Sequence, residues 1–245
     1  MLTFSSYIPG DGRDGPGARK PAPLVRTHLA TSRDAAAFGT MARVEAERRG
    51  YRQAEVVIGM GDRRRNWRLP ADGGNWIDPL LEREFRVRAR VVDWYHATEH
   101  LWDCAKAIHG PQTPGAAAMA ERMEAWLWDG KVARVIEALS AHARQLGDPQ
   151  PADPPQHPRQ VLSRNVGYFT RHQDHMRYPA YRANGWPIGS GETEAAVKQF
   201  NKRVKGTEQF WQAAGIEPIL SLRAAWISQD DRWQRYWDNR PAYVN

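Results

Sequence analysis

The pattern of apolar and polar positions divides the chain into two parts. Up to about residue 95, short apolar runs of strand length alternate with stretches of helical spacing. Apolar runs predict strands at 2–8, 24–30, 55–60 and 87–93, with helices between the later strands at 34–50 and 78–85. Strands that alternate with helices are typical of an α/β sheet with parallel neighbours and crossover helices.

Capping chemistry predicts where the helices of this first part begin and end. Ser32 or Asp34 can accept a hydrogen bond from a first-turn N–H group, and Gly50 suits the residue that closes a helix. Asp78 followed by Pro79 predicts the second start, because proline has no N–H group and suits the first helical turn.

From His96 onward the spacing of apolar residues is helical throughout. The predicted helices are 96–109, 116–128, 131–146, 159–176, 192–203, 217–228 and 230–237. Five prolines between Gly147 and Pro158 predict a linker or an extended loop. The last part is rich in tryptophan, which we interpret as core packing: Trp186, Trp211, Trp226, Trp233 and Trp237.

Four segments follow from this pattern. They are a flexible Gly/Pro-rich segment at 1–24 around a short strand, a sheet-containing core at 25–95, a helical insertion at 96–185 and a C-terminal helical part at 186–245.

Composition narrows the classes of partner and compartment. The 245 residues carry a net charge of +7, which favours a polyanionic partner such as nucleic acid. The single cysteine, Cys104, excludes an internal disulfide and fits a reducing compartment. The sequence shows neither an apolar run of about 18 residues nor a secretion signal, so we expect a cytoplasmic protein with no membrane partner.

Polar residues stand where apolar strands end. Asp93 and His96 follow one strand, Asp62 follows another, and Asp72 lies in an Asp-Gly turn. Carboxylates that converge at such a point need a cation, and Mg²⁺ or Mn²⁺ prefers oxygen ligands of this kind. An alternative for Asp93 is that it only caps the helix that follows.

A second feature follows the turn Gly189-Ser190-Gly191. Glu194, Lys198, Lys202 and Lys205 recur at spacings of four, four and three, so they share one helix face. One interpretation is a solvated ladder of ion pairs between the glutamate and the lysines. The other is that Glu194 binds a metal ion and the lysines form a basic stripe along which a phosphate backbone lies.

Together these phrases resemble a known family. The stretch Asp-Trp-Tyr-His-Ala-Thr-Glu-His-Leu at 93–101 is followed by Gly-Trp-Pro-Ile-Gly-Ser-Gly-Glu-Thr-Glu-Ala-Ala-Val-Lys at 185–198. Their order and separation, with the tail at 215–224, resemble bacterial insertion-sequence transposases of the ISKra type. Those transposases are similar to the wider Mutator-like group, and the resemblance covers residue 24 to the C-terminus.

The resemblance implies an RNase H-like mixed sheet, interrupted by an all-α insertion before the last catalytic helix. It implies DNA strand cleavage and joining by two Mg²⁺ or Mn²⁺ ions held on a carboxylate triad. The implied partners are transposon ends and target DNA. The implied protein is nucleoid-associated and can form homo-oligomers. The residues implied as catalytic metal ligands are Asp72 and Glu194, with Asp62 and Glu192 as second choices. Asp93 and His96 are implied as supporting signature residues. The residues expected to contact DNA are Lys198, Lys202, Arg203 and Lys205.

One part of the family pattern is missing. These transposases carry the first catalytic aspartate on the opening strand, usually as Val-Asp-Gly, whereas Asp11 and Asp14 lie in a Gly/Pro loop. We therefore expect an N-terminally truncated core with little or no strand-transfer activity, unless another polypeptide completes it. The alternatives are a non-catalytic DNA-binding remnant, a relic without a stable product, and a hydrolase with His96 as general base. The hydrolase lacks a serine or cysteine nucleophile in a convincing elbow.

Overall fold

The computed structural model describes residues 1–60, 77–205 and 210–240, a mixed α/β arrangement that is 59% helical. The strands are β1 Leu2–Ile8, β2 Ala22–Leu29, β3 Ile58–Met60 and β4 Ala89–Val91. The helices are α1 Ala35–Arg48, α2 Ile77–Glu84, α3 Trp94–His109, α4 Pro114–Trp128, α5 Val132–Leu146, α6 Pro158–His172, α7 Tyr178–Ala183, α8 Gly191–Val204, α9 Ala213–Ile227 and α10 Arg232–Asp238. Two short 3₁₀ turns lie at Tyr51–Gln53 and Gln173–His175.

The described strands form two small sheets. β3 and β4 are parallel and are joined through α2, so the predicted crossover unit is confirmed. β1 and β2 form an antiparallel hairpin. The single sheet predicted from the pattern, and the RNase H-like mixed sheet that the resemblance implies, are therefore not present among the described residues, where each sheet has two strands.

The outer edge of β2 explains part of this difference. The N–H group of His28 donates to Ser228 Oγ at 3.0 Å, and the N–H group of Gln229 donates to the Arg26 carbonyl at 2.8 Å. The chain that leaves α9 thus satisfies backbone groups that a neighbouring strand would otherwise pair. No local apolar pattern in the sequence indicates this long-range contact.

The predicted ends of α1 are confirmed and the predicted start of α2 is wrong. Asp34 caps α1 by accepting from the N–H group of Ala37 at 2.8 Å, and Gly50 adopts a φ of +69° just beyond the helix. α2 begins at Ile77, so Asp78 is a helical residue and not the cap. Pro79 still lies in the first turn, where its missing N–H group costs no hydrogen bond.

The helices from α3 to α7 enclose the main apolar core. Its fully buried side chains include Leu101, Met123, Leu127, Leu139, Leu162 and Phe169. Cys104 is buried in the same core, and burial raises the pKa of its thiol to about 12. Tyr178 and Tyr181 of α7 donate their hydroxyls to the carbonyls of Val92 and Arg90, each at 3.0 Å. These bonds fix β4 against the helices.

The tryptophans of the C-terminal part are only partly in the core. Trp226 is 54% exposed and Trp237 is 44% exposed. They cluster with Trp233 and Tyr236 on the surface of α9 and α10, with ring centroids about 5 to 6 Å apart. Trp211 is 38% exposed, so the prediction that these residues pack in the core is wrong for Trp211, Trp226 and Trp237.

Within residues 1–60, 77–205 and 210–240, no helix combines the length and the apolar character needed to cross a membrane.

Candidate functional site

Asp93 stands at the corner between β4 and α3. It is 1% exposed, and its Oδ1 atom accepts a hydrogen bond from the N–H group of His96 at 3.1 Å. This is the helix cap that the spacing of Asp93 and His96 predicts. A buried carboxylate needs further donors, because burial without hydrogen bonds is costly.

The second donor to Asp93 comes from a distant part of the chain. The N–H group of Ser190, 97 residues along the chain, donates to Asp93 Oδ2. Beside it, the N–H group of Trp94 donates to the carbonyl of Ile188 at 2.8 Å. The turn before α8 is therefore held against the start of α3, and the two phrases that carry the family resemblance meet there.

Gly189 lies at the centre of this contact. A Cβ atom at Gly189 would lie 2.9 Å from Cε2 of the Tyr95 ring, closer than side chains approach one another. The ring of Tyr95 therefore packs directly on the backbone of Gly189.

His96 lies between two carboxylates. Its Nδ1 atom is 3.1 Å from Oε2 of Glu99, one turn further along α3, and its Nε2 atom is 3.7 Å from Oε1 of Glu194 on α8. The neutral imidazole carries one N–H group, so both contacts are favourable at once only when the ring is doubly protonated.

The carboxylate of Glu194 is directed toward α3 and not along its own helix. Its Oε1 atom is buried and accepts no hydrogen bond. The described residues contain no ion pair between Glu194 and Lys198, one turn away. The interpretation of this face as a ladder of ion pairs starting at Glu194 is therefore wrong.

The basic face of α8 lies opposite its packing face. Phe200 is buried together with Ala30 and Ala224, and Ala196, one turn earlier on α8, is buried as well. At about 100° per residue, Lys198 lies roughly 200° around the helix from Ala196. Lys202 lies about 240° from Ala196 and is exposed, as Lys198 is. Arg203 and Lys205 are exposed too, but Arg203 lies on the same side of the helix as Ala196. A ligand can therefore reach Lys198 and Lys202 without changing the fold.

The structure brings together only part of the predicted site. Asp93, His96 and Glu194 meet at one point. Asp72 and Asp62 lie outside the described residues, and so does the side chain of Glu192. Within the part of the chain that the structure describes, no group of three or more His, Cys, Asp or Glu side chains is placed to hold a metal ion.

Two members of the site are missing from the sequence prediction. Glu99 follows His96 by three residues, a spacing that places both side chains on one helix face, so helical periodicity could have found it. The backbone N–H group of Ser190 carries no side-chain signal, because any residue with a free N–H group could make that bond.

Removing the Asp93 carboxylate is expected to weaken folding more than removing an ordinary helix cap. Asp93→Ala loses a cap worth about 1 kcal/mol and a second hydrogen bond worth about 1 kcal/mol. Asp34→Ala is the matched control, because Asp34 caps α1 alone and should cost about 1 kcal/mol. Urea denaturation measures both free energies of unfolding. Equal losses would contradict the bond to Ser190.

Comparison of the chain with protein-family models, with curated proteins and with solved structures finds no match.

Proposed function

We propose that this chain is part of the catalytic core of a DNA transposase of the ISKra type. In this proposal it binds transposon-end DNA along α8 and has no strand-cleaving or strand-joining activity until an additional aspartate completes the site. The proposal rests on the resemblance of two sequence phrases and on how the chain folds around them.

The observation that carries the proposal is the contact between those two phrases. Asp93 accepts from the N–H group of Ser190, and His96 faces Glu194, although a bundle of helices separates them along the chain. A helical insertion that returns the chain to the end of a strand is what the family resemblance implies. A chance likeness of two short phrases gives no reason for them to meet.

The two small sheets support the same proposal. The ring of Phe85, directly after α2, lies 6.2 Å from that of Phe4 on β1, and Leu81 of α2 packs beside Gly59 on β3. The chain around α2 thus contacts both sheets. The five-stranded RNase H-like sheet that the resemblance implies would need one further strand, carrying the first aspartate, between β1 and β3.

The described residues do not by themselves fit a pair of Mg²⁺ or Mn²⁺ ions. Glu194 offers one buried carboxylate oxygen without a hydrogen bond, which suits a metal ligand. Asp72, the other proposed ligand, lies outside the described residues, and both oxygens of Asp93 accept backbone N–H groups. We therefore derive no catalytic step through the metal, and assign Asp93 to positioning the turn that carries Glu194.

A second candidate is a DNA-binding protein without any catalytic role. It is favoured by the absence of a three-ligand group among the described residues, combined with an exposed basic face on α8. Both candidates require DNA binding through α8. They differ in whether added catalytic parts restore cleavage.

Two measurements test the proposed function. The first measures DNA binding after the charges of Lys198 and Lys202 are reversed. Loss of the salt-dependent binding would support α8 as the interface. Incubation of the chain with its own transposon-end DNA and Mg²⁺ tests the catalytic part. A chain that binds no DNA at low salt would overturn the proposal.

A further inference from the structure

Tyr95 is an exposed aromatic residue beside the candidate site. It is 58% exposed, while Asp93 and His96 on either side of it in the sequence are buried. One side of its ring lies against Gly189, where a Cβ atom would come within 2.9 Å of it. The ring therefore contacts the turn before α8 and presents most of its surface to solvent.

The ring stands where the candidate site meets the basic face. The neighbouring side chain, His96, lies 3.7 Å from Glu194, and Lys198 follows Glu194 by one helical turn. From Glu194 to Lys202 the helix rises by about 12 Å. The aromatic surface thus lies against the turn that begins α8, and the short row of cations follows on that same helix.

This pairing fits a strand of nucleic acid with an unpaired base. Lysine side chains attract phosphates, and aromatic rings stack on the faces of bases. In a continuous duplex those faces are covered by neighbouring base pairs, so a protein ring can reach them only when a base leaves the stack. An apolar protein partner would gain nothing from the adjacent lysines.

We propose that Tyr95 stacks on an unpaired nucleobase of the bound DNA while Lys198 and Lys202 contact the phosphates of the same strand. The preferred ligand of this face is therefore DNA with a single-stranded or frayed segment, not a continuous duplex. This inference rests on the proposed function, because it names the form of DNA that α8 receives.

The test measures, by fluorescence anisotropy, how tightly the full chain binds end-labelled DNA. Single-stranded and duplex DNA of the same sequence are compared. Tyr95→Ala is expected to weaken binding of the single strand about tenfold, since one stacked base is lost. The affinity of Tyr95→Ala for duplex DNA is expected to stay within about twofold of that of the unchanged chain. Tyr95→Phe keeps the ring and should bind both forms as the unchanged chain does.

Two controls separate stacking from damage to the fold. Tyr236→Ala removes another exposed tyrosine, on α10, and should leave both affinities unchanged. If Tyr95→Ala lowers the thermal midpoint, Tyr95→Leu provides an apolar side chain against Gly189 without an aromatic face, and should show the same selective loss.

The outcomes distinguish this inference from the proposed function. If Tyr95→Ala and Tyr95→Leu bind single-stranded DNA with the same affinity as the unchanged chain, Tyr95 does not stack on a base. The proposed DNA binding is not affected by that result. Equal losses on single-stranded and duplex DNA also overturn the stacking role. A chain that binds neither DNA form removes the proposed function and the inference together.

Discussion

Reversing the charge of Lys198 and Lys202 to glutamate is expected to weaken DNA binding about 100-fold at moderate salt. Both side chains are exposed on the face of α8 opposite Ala196 and Phe200. Each phosphate contact releases counterions, so losing two contacts should also reduce the slope of log affinity against log salt by about two. Anisotropy titrations at several salt concentrations measure both quantities.

The matched control keeps the net charge equal. Lys20 and Lys106 are exposed lysines outside α8, so Lys20→Glu with Lys106→Glu changes the total charge by the same amount. We expect that variant to retain a salt slope close to that of the unchanged chain. If both double variants lose affinity equally, DNA responds to total charge and α8 is not the interface.

Replacing Arg232 by methionine is expected to lower the free energy of unfolding by about 3 kcal/mol. Its guanidinium donates to Glu45 on α1 at 2.5 Å and to Asp230 at 2.6 Å. Glu45 is almost fully buried, so losing Arg232 leaves an uncompensated carboxylate in the interior. Although burial alone would lower the pKa of Arg232, its hydrogen bonds to Asp230 and Glu45 raise it.

Arg235→Met provides the comparison for this second prediction. Arg235 lies one helical turn further along α10, is exposed and donates to the carbonyl of Asp230. Its loss should cost less than about 1 kcal/mol, as for other surface hydrogen bonds. Chemical denaturation of both variants at neutral pH measures the difference. If Arg232→Met is no less stable than Arg235→Met, the ion pair with Glu45 does not join α1 to the C-terminal part.

Local patterns predict much of the secondary structure because their causes are local. The cap at Asp34, the closing glycine at Gly50 and the crossover from β3 to β4 all depend on residues close together in sequence. The start of α2 at Ile77 is missed because Pro79 tolerates any position of the first turn, so it does not fix the first residue.

Long-range contacts explain what periodicity fails to predict. Whether β2 pairs with a parallel neighbour or is covered by the end of α9 depends on Ser228 and Gln229, about 200 residues away. Likewise, tryptophans at helical spacing reach the core only if another element covers them. Trp226 and Trp237 contact neighbouring aromatic rings, and Arg240 lies over Trp237, yet both tryptophans remain exposed.

The candidate site was predictable in part. The spacing of Asp93 and His96 indicates a helix cap, and the structure has it. Spacing alone could not indicate that Ser190 donates to Asp93 or that Glu194 faces His96, because those residues are brought together by the helices between them. The resemblance to a family groups these residues, and the fold gives that grouping a physical basis.

The most direct test of the proposed function uses DNA that carries the sequences flanking this chain's own reading frame. The purified chain is incubated with that DNA and Mg²⁺, and both retention and strand breaks are scored on one gel, with Glu194→Gln alongside. We predict that the chain retains the DNA at low salt and leaves every strand intact. DNA that migrates freely at low salt, or breaks that depend on Glu194 in the isolated chain, would contradict the proposed DNA-binding core that is inactive on its own.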